Sequence, residues 1–116
     1  MKIRISFGEN TLNGFLNDSV TAEALTRMLP LTLEMQNLYG REMVYRFPQA
    51  LPTDNVRHTG YEVGDIVYWP PRHSFVFMYA QNGEMFSMQK VGTISSGLDV
   101  FRSIDVTEVT IEAVAE

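Results

Sequence analysis

The densest chemistry in the chain lies in Tyr68-Trp69-Pro70-Pro71-Arg72-His73-Ser74-Phe75, where aromatic, prolyl and cationic groups crowd one strand–loop–strand corner. Aromatic surface beside an arginine suits extended or proline-containing peptides, whose stiff backbone loses little entropy on docking. Elsewhere the vocabulary of catalysis is thin. His58 and His73 are widely separated and no histidine or cysteine stands near either. The i, i+3 or i, i+4 pairing that sets two metal ligands on one helix face is therefore absent, and both read as loop histidines facing water. Ser95-Ser96-Gly97 lacks the frame of a G-x-S-x-G elbow, and neither a P-loop nor G-x-G-x-x-G occurs. Glu34, Glu42, Asp65, Glu84, Asp99 and Asp105 are scattered through turns and solvent faces. Asp65, after Gly64 at the start of a strand, is placed to cap backbone amides of the preceding loop. No cofactor and no metal site is expected.

Composition narrows the partners. The 116 residues make one domain, 1–116, of ordinary apolar content at 45%. A net charge of −5, from 9 Lys+Arg against 14 Asp+Glu, repels phosphate backbones and anionic lipid unless the bases cluster. They do not cluster, so nucleic acid and membrane are not expected as partners. The absence of cysteine removes disulfides, thiol nucleophiles and zinc–thiolate sites and fits a reducing compartment. Met1-Lys2-Ile3-Arg4-Ile5 alternates charge with apolar side chains, unlike a signal-peptide core, and no run approaches the ~20 apolar residues of a membrane span. A cytoplasmic address follows as the expectation.

The elements that must position these residues are mostly strands. Ile3, Ile5 and Phe7 alternate with Lys2, Arg4 and Ser6, and a turn at Gly8-Glu9-Asn10 leads into a returning arm, 11–16, with Gly14 as a bulge. Residues 20–29 carry an apolar stripe of Val20, Ala24, Leu25, Met28 and Leu29, capped by Asp18 or Ser19 and ended by Pro30, which predicts a helix. Alternation resumes over 31–35 and 41–47. Residues 48–65 hold two prolines and two glycines without a steady period and predict a long surface loop. Residues 65–69 form a strand stopped by Pro70-Pro71. Residues 74–80 form the most apolar strand, needing cover on both faces, from the lumen of a barrel and from a packed helix. Gln81-Asn82-Gly83 predicts a hairpin turn into 84–89. A short strand at 92–94, a helical turn at 96–101 and a last strand at 107–113 complete the chain. Eight or so short strands with one or two short helices predict an all-β barrel or sandwich.

In that order, Leu29-Pro30-Leu31-Thr32-Leu33, then Gly64-Asp65-Ile66 with Tyr68, then Ser74-Phe75-Val76-Phe77-Met78, then Ser96-Gly97-Leu98-Asp99 resemble the small prokaryotic cyclophilin-like domain proteins over almost the whole chain. The resemblance implies a closed barrel of about eight mostly antiparallel strands, with the 20–29 helix plugging one end and 97–103 near the other. It also implies a groove in which an arginine, here Arg46, donates to a prolyl nitrogen over an apolar floor including Phe77. Such a donor lowers an isomerisation barrier of about 18–20 kcal/mol. The rest of the motif departs from the family pattern. Phe47 follows Arg46 at once, Gln49 comes next but one, and 84–90 holds neither the tryptophan nor the histidine the family places there. Taken without the resemblance, Arg46 reads as half of a surface ion pair with Glu42 worth about 0–1 kcal/mol, and Phe77 as barrel core. The expected function is thus binding of a peptide, protein loop or small molecule, by apolar docking on Tyr68, Trp69 and Phe77 and hydrogen bonds from Arg46 and Tyr45. The alternative is a peptidyl-prolyl cis-trans isomerase with a degenerate site centred on Arg46.

Overall fold

A computed structural model describes residues 1–115. Strands β1 (Lys2–Phe7) and β2 (Asn10–Leu16) form the first hairpin, with Ile3 opposite Gly14 and Ile5 opposite Leu12. Helix α1 (Val20–Met28) follows, capped by the Ser19 hydroxyl, which accepts from the Ala22 amide at 3.1 Å. It stops beside Leu29, where the approaching Pro30 denies the chain another helical amide. The remaining strands are β3 (Leu31–Leu38), β4 (Glu42–Arg46), β5 (Arg57–Thr59), β6 (Asp65–Trp69), β7 (Ser74–Met78), β8 (Phe86–Ile94) and β9 (Val106–Ala113).

Eight of these close into a ring. The order β1-β9-β3-β4-β7-β6-β8-β2 returns to β1, and every pairing is antiparallel. The first and last strands are neighbours, with Ile3 opposite Ala113. Closure removes the unpaired edges that an open sheet of this size would present. The short β5 stands outside the ring and pairs only with the start of β8.

Inward residues of the ring build the main core, including Ile3, Ile5, Leu33, Met35, Met43, Phe75, Phe77, Val109 and Ile111. Ala22 and Leu25 of α1 join it from one end. From the other end the 3₁₀ turn Leu98–Ser103 inserts Phe101, which stacks on Phe7 with ring centroids 4.8 Å apart. Both expected plugs are therefore present.

Five local expectations change. Residues 48–65 contain β5, too short and too polar to register as a strand by itself. The two strands expected at 84–89 and 92–94 are one strand of nine residues. β7 and β8 form no hairpin, because β4 and β6 occupy both edges of β7 and the chain must pass beyond β6 to reach its place. Gly14 is no bulge. It is in register with both neighbours, and its missing side chain is what lets β8 approach, since a Cβ there would lie 2.5 Å from the Thr93 carbonyl oxygen. The outer face of β7 is covered, as its composition requires, but by a second cluster of Val44, Tyr61, Val67, Val76, Met78 and Met88 rather than by the helix.

Candidate functional site

Alternation sorts the three adjacent strands β4, β7 and β6 into two faces. Met43, Ile66, Tyr68, Phe75 and Phe77 belong to the interior cluster, while Val44, Val67, Val76 and Met78 belong to the outer one. Arg46 and Trp69 follow the outer set in register. Arg46 lies opposite Ser74, and Ser74 lies opposite Trp69, so the arginine and the tryptophan flank a buried serine in one rank across the outside of the barrel.

Arg46 is half-buried. Its Nε is sealed from solvent and has no hydrogen-bond partner, and it makes no ion pair among the described residues. The carboxylate expected to meet it is taken. Glu42 is bound by its sequence neighbour Arg41, whose Nε donates to Glu42 Oε1 at 2.6 Å while Nη1 donates to Glu84 Oε2 at 2.8 Å. The Arg41 guanidinium also lies over the rings of Tyr39 and Phe86, at 5.3 and 5.4 Å from their centroids. Burial holds the Glu42 carboxyl above its ordinary range, with Arg41 and, more weakly, Arg46 working against that rise.

The five residues expected to form one groove do not share a surface. Phe77 is fully buried, edge-on to Phe75 at 5.3 Å and 6.1 Å from Phe101. Tyr68 is buried too, and its hydroxyl accepts the Leu51 amide at 2.9 Å. Both sit at inward register positions, so neither floors an external groove. Tyr45 is half-buried beside the interior cluster, edge-on to Phe47 at 5.0 Å. The sheet thus brings Arg46 and Trp69 together outside and leaves Tyr45, Tyr68 and Phe77 within or at the mouth of the barrel. Of the histidines, His58 faces water as expected but lies on β5, whereas half-buried His73 closes the Pro70–Arg72 3₁₀ turn with its Nδ1 3.1 Å from the Phe47 carbonyl oxygen. Asp65 caps as expected, its Oδ2 accepting the Glu62 amide at 2.9 Å.

One residue escaped the sequence reading. Gln89, opposite Tyr68 in β8, is buried, and its Oε1 accepts the amides of Asp54 and Asn55 at 3.2 and 2.8 Å. A lone glutamine in a strand carries no motif; only the fold shows that it and Tyr68, cross-strand partners, both spend their side chains pinning the loop after β4. That loop walls a polar cavity of about 490 Å³ beside β8, which none of the five residues lines.

A closed antiparallel barrel with a helix across one end and a 3₁₀ turn across the other defines the class. Within it, the chain belongs to the cyclophilin-like family, whose sequence model matches residues 5–112. The fold is shared with the solution structure of the hypothetical protein AF2241 from Archaeoglobus fulgidus, at a TM-score of 0.73 and 18% identity over 97% of this chain and 93% of that one. No match was found among the curated proteins.

Proposed function

We propose that this chain is a binding domain that takes a peptide or protein loop on the outer corner made by Arg46 and Trp69. The observation that carries the reading is the sealed, unpartnered Nε of Arg46. A buried donor without an acceptor costs about 1–3 kcal/mol, more when charged, and because Nε is closed to solvent a carbonyl or carboxylate recovers that cost only by displacing the side chains that cover it. Trp69 supplies the adjoining flat apolar surface, and Tyr45 reinforces the strand end from inside. A small molecule bearing a carbonyl would satisfy the same donor. Nucleic acid and membrane are not part of the reading, given the net charge of −5, and the lack of cysteine supports a cytoplasmic setting. Among the described residues no helix is long and apolar enough to cross a membrane.

Trp69 is the only tryptophan, so its fluorescence reports on the corner directly. Titration with short proline-containing peptides should give a saturable change in the wild type and at least a tenfold weaker one in Arg46→Ala, with unchanged circular dichroism. Flat titrations for the whole peptide set would overturn the reading. The same unpaired donor is what an isomerase needs, so cis-to-trans conversion of those peptides belongs in the same experiment. A rate above the uncatalysed one that disappears in Arg46→Ala would make the corner an enzyme site rather than a docking site.

A further inference from the structure

β8 changes partners along its length. Residues 92–94 pair with β2 and residues 86–88 with β5, and beside the stretch between them opens the 490 Å³ cavity. That volume falls within the range of small-molecule sites, roughly 300–1,000 Å³. The walls are fixed by their own hydrogen bonds. Asn17 Oδ1 accepts the Ser19 amide at 3.1 Å and its hydroxyl at 2.6 Å, and Asn17 Nδ2 donates to the Lys90 carbonyl at 2.9 Å. The buried Gln89 holds the amides of Asp54 and Asn55, and Asn55 Oδ1 accepts Arg57 Nε at 2.9 Å.

Set against those spent groups are three charges that remain free. Asp18, Asp54 and Arg57 line the cavity, and none of the three makes an ion pair among the described residues. The fourth charge, Lys90, is turned to Asp65, with Nζ 3.2 Å from Oδ2. A cavity with one unspent cation and two unspent anions repels a phosphate or a dicarboxylate. Its lining has no aromatic ring on which a sugar face could rest. Among the described residues no three carboxylates or histidines gather as a metal site would require. What remains complementary is a compact molecule carrying both signs of charge.

We propose that this cavity binds a small zwitterion, a free amino acid or a dipeptide, with its carboxylate on the Arg57 fork and its ammonium group on Asp54 or Asp18. The site is separate from the Arg46 corner and does not depend on it. The test is an amide-resolved NMR titration of the full chain with L-alanine, L-glutamine and alanyl-alanine, and with N-acetyl-alanine amide and inorganic phosphate as comparison probes. At least one zwitterion should shift the amides of Asp18, Ser19, Asn55 and Arg57 saturably below about 10 mM, and neither comparison probe should do so. Arg57→Gln and Asp54→Asn should each weaken that binding at least tenfold, whereas Arg102→Gln, on the 3₁₀ turn at the other end of the barrel, should leave it intact. Absence of saturation by every zwitterion, or equal binding of the blocked amide, would overturn the proposal.

Discussion

Of two arginines five positions apart, Arg41 takes the Glu42 carboxylate and Arg46 is left without one among the described residues. Arg41 is fixed between Tyr39 and Phe86 and reaches Glu42 and Glu84 together, so the carboxylate that shares the outer face with Arg46 is already spent. The arrangement has a pH signature. The folded Glu42 carboxyl binds its proton more tightly than the ordinary value of 4.5, so this group favours the folded state at low pH and loses that contribution as pH rises through the folded value. The stability of the wild type relative to Glu42→Gln should therefore fall as pH rises above about 4.5 in urea titrations, as linkage requires. A difference that grows with pH would show that the Arg41 pairing, not burial, governs this carboxyl. Phe77 gives a second residue-scale test. Buried against Phe75 and Phe101, it should cost about 3–5 kcal/mol on truncation to alanine, the range for a large core aromatic. A loss below about 1 kcal/mol would place it on a surface after all, since exposed substitutions stay within about 0.5 kcal/mol.

At the scale of elements, the seam between β2 and β8 depends on two missing side chains. A Cβ on Gly14 would run into the Thr93 carbonyl of β8, and a Cβ on Gly92 would run into the Phe15 carbonyl of β2. Gly92→Ala should force the two backbones apart and cost about 1–3 kcal/mol, the usual penalty of overpacking, with faster amide exchange at residues 14–16 and 92–94. Unchanged exchange there would mean that the ring does not close through these strands. The same elements show what the sequence discloses and what it withholds. Ile3, Ile5 and Phe7 announce β1 by alternation, and Ser19 and Pro30 bound α1, because those signals are local. The pairing of Ile3 with Ala113, the passage of the chain past β6 before β8, and the union of 86–94 into one strand depend on contacts distant in sequence, which no window of residues contains. The candidate site divides the same way. Arg46 and Trp69 were visible as residue types, but their shared rank through Ser74, the burial of Tyr68 and Phe77, and the part played by Gln89 follow from register alone.

At the scale of the molecule, a sealed barrel has little interior to offer a ligand, since aromatic and aliphatic side chains fill its lumen and both ends are plugged. The proposed recognition is accordingly placed on the outside, where sheet alternation delivers polar groups to fixed positions. A rigid wall suits this, because a donor held by the strands on either side has no ordering cost left when a ligand arrives. The most direct measurement is the Nε–Hε resonance of Arg46 in an NMR titration with a proline-containing peptide. The account predicts a solvent-protected proton that moves downfield saturably as an acceptor reaches it, in step with the indole resonance of Trp69. An Arg46 proton that stays in place while peptide binding is registered elsewhere on the barrel would contradict it.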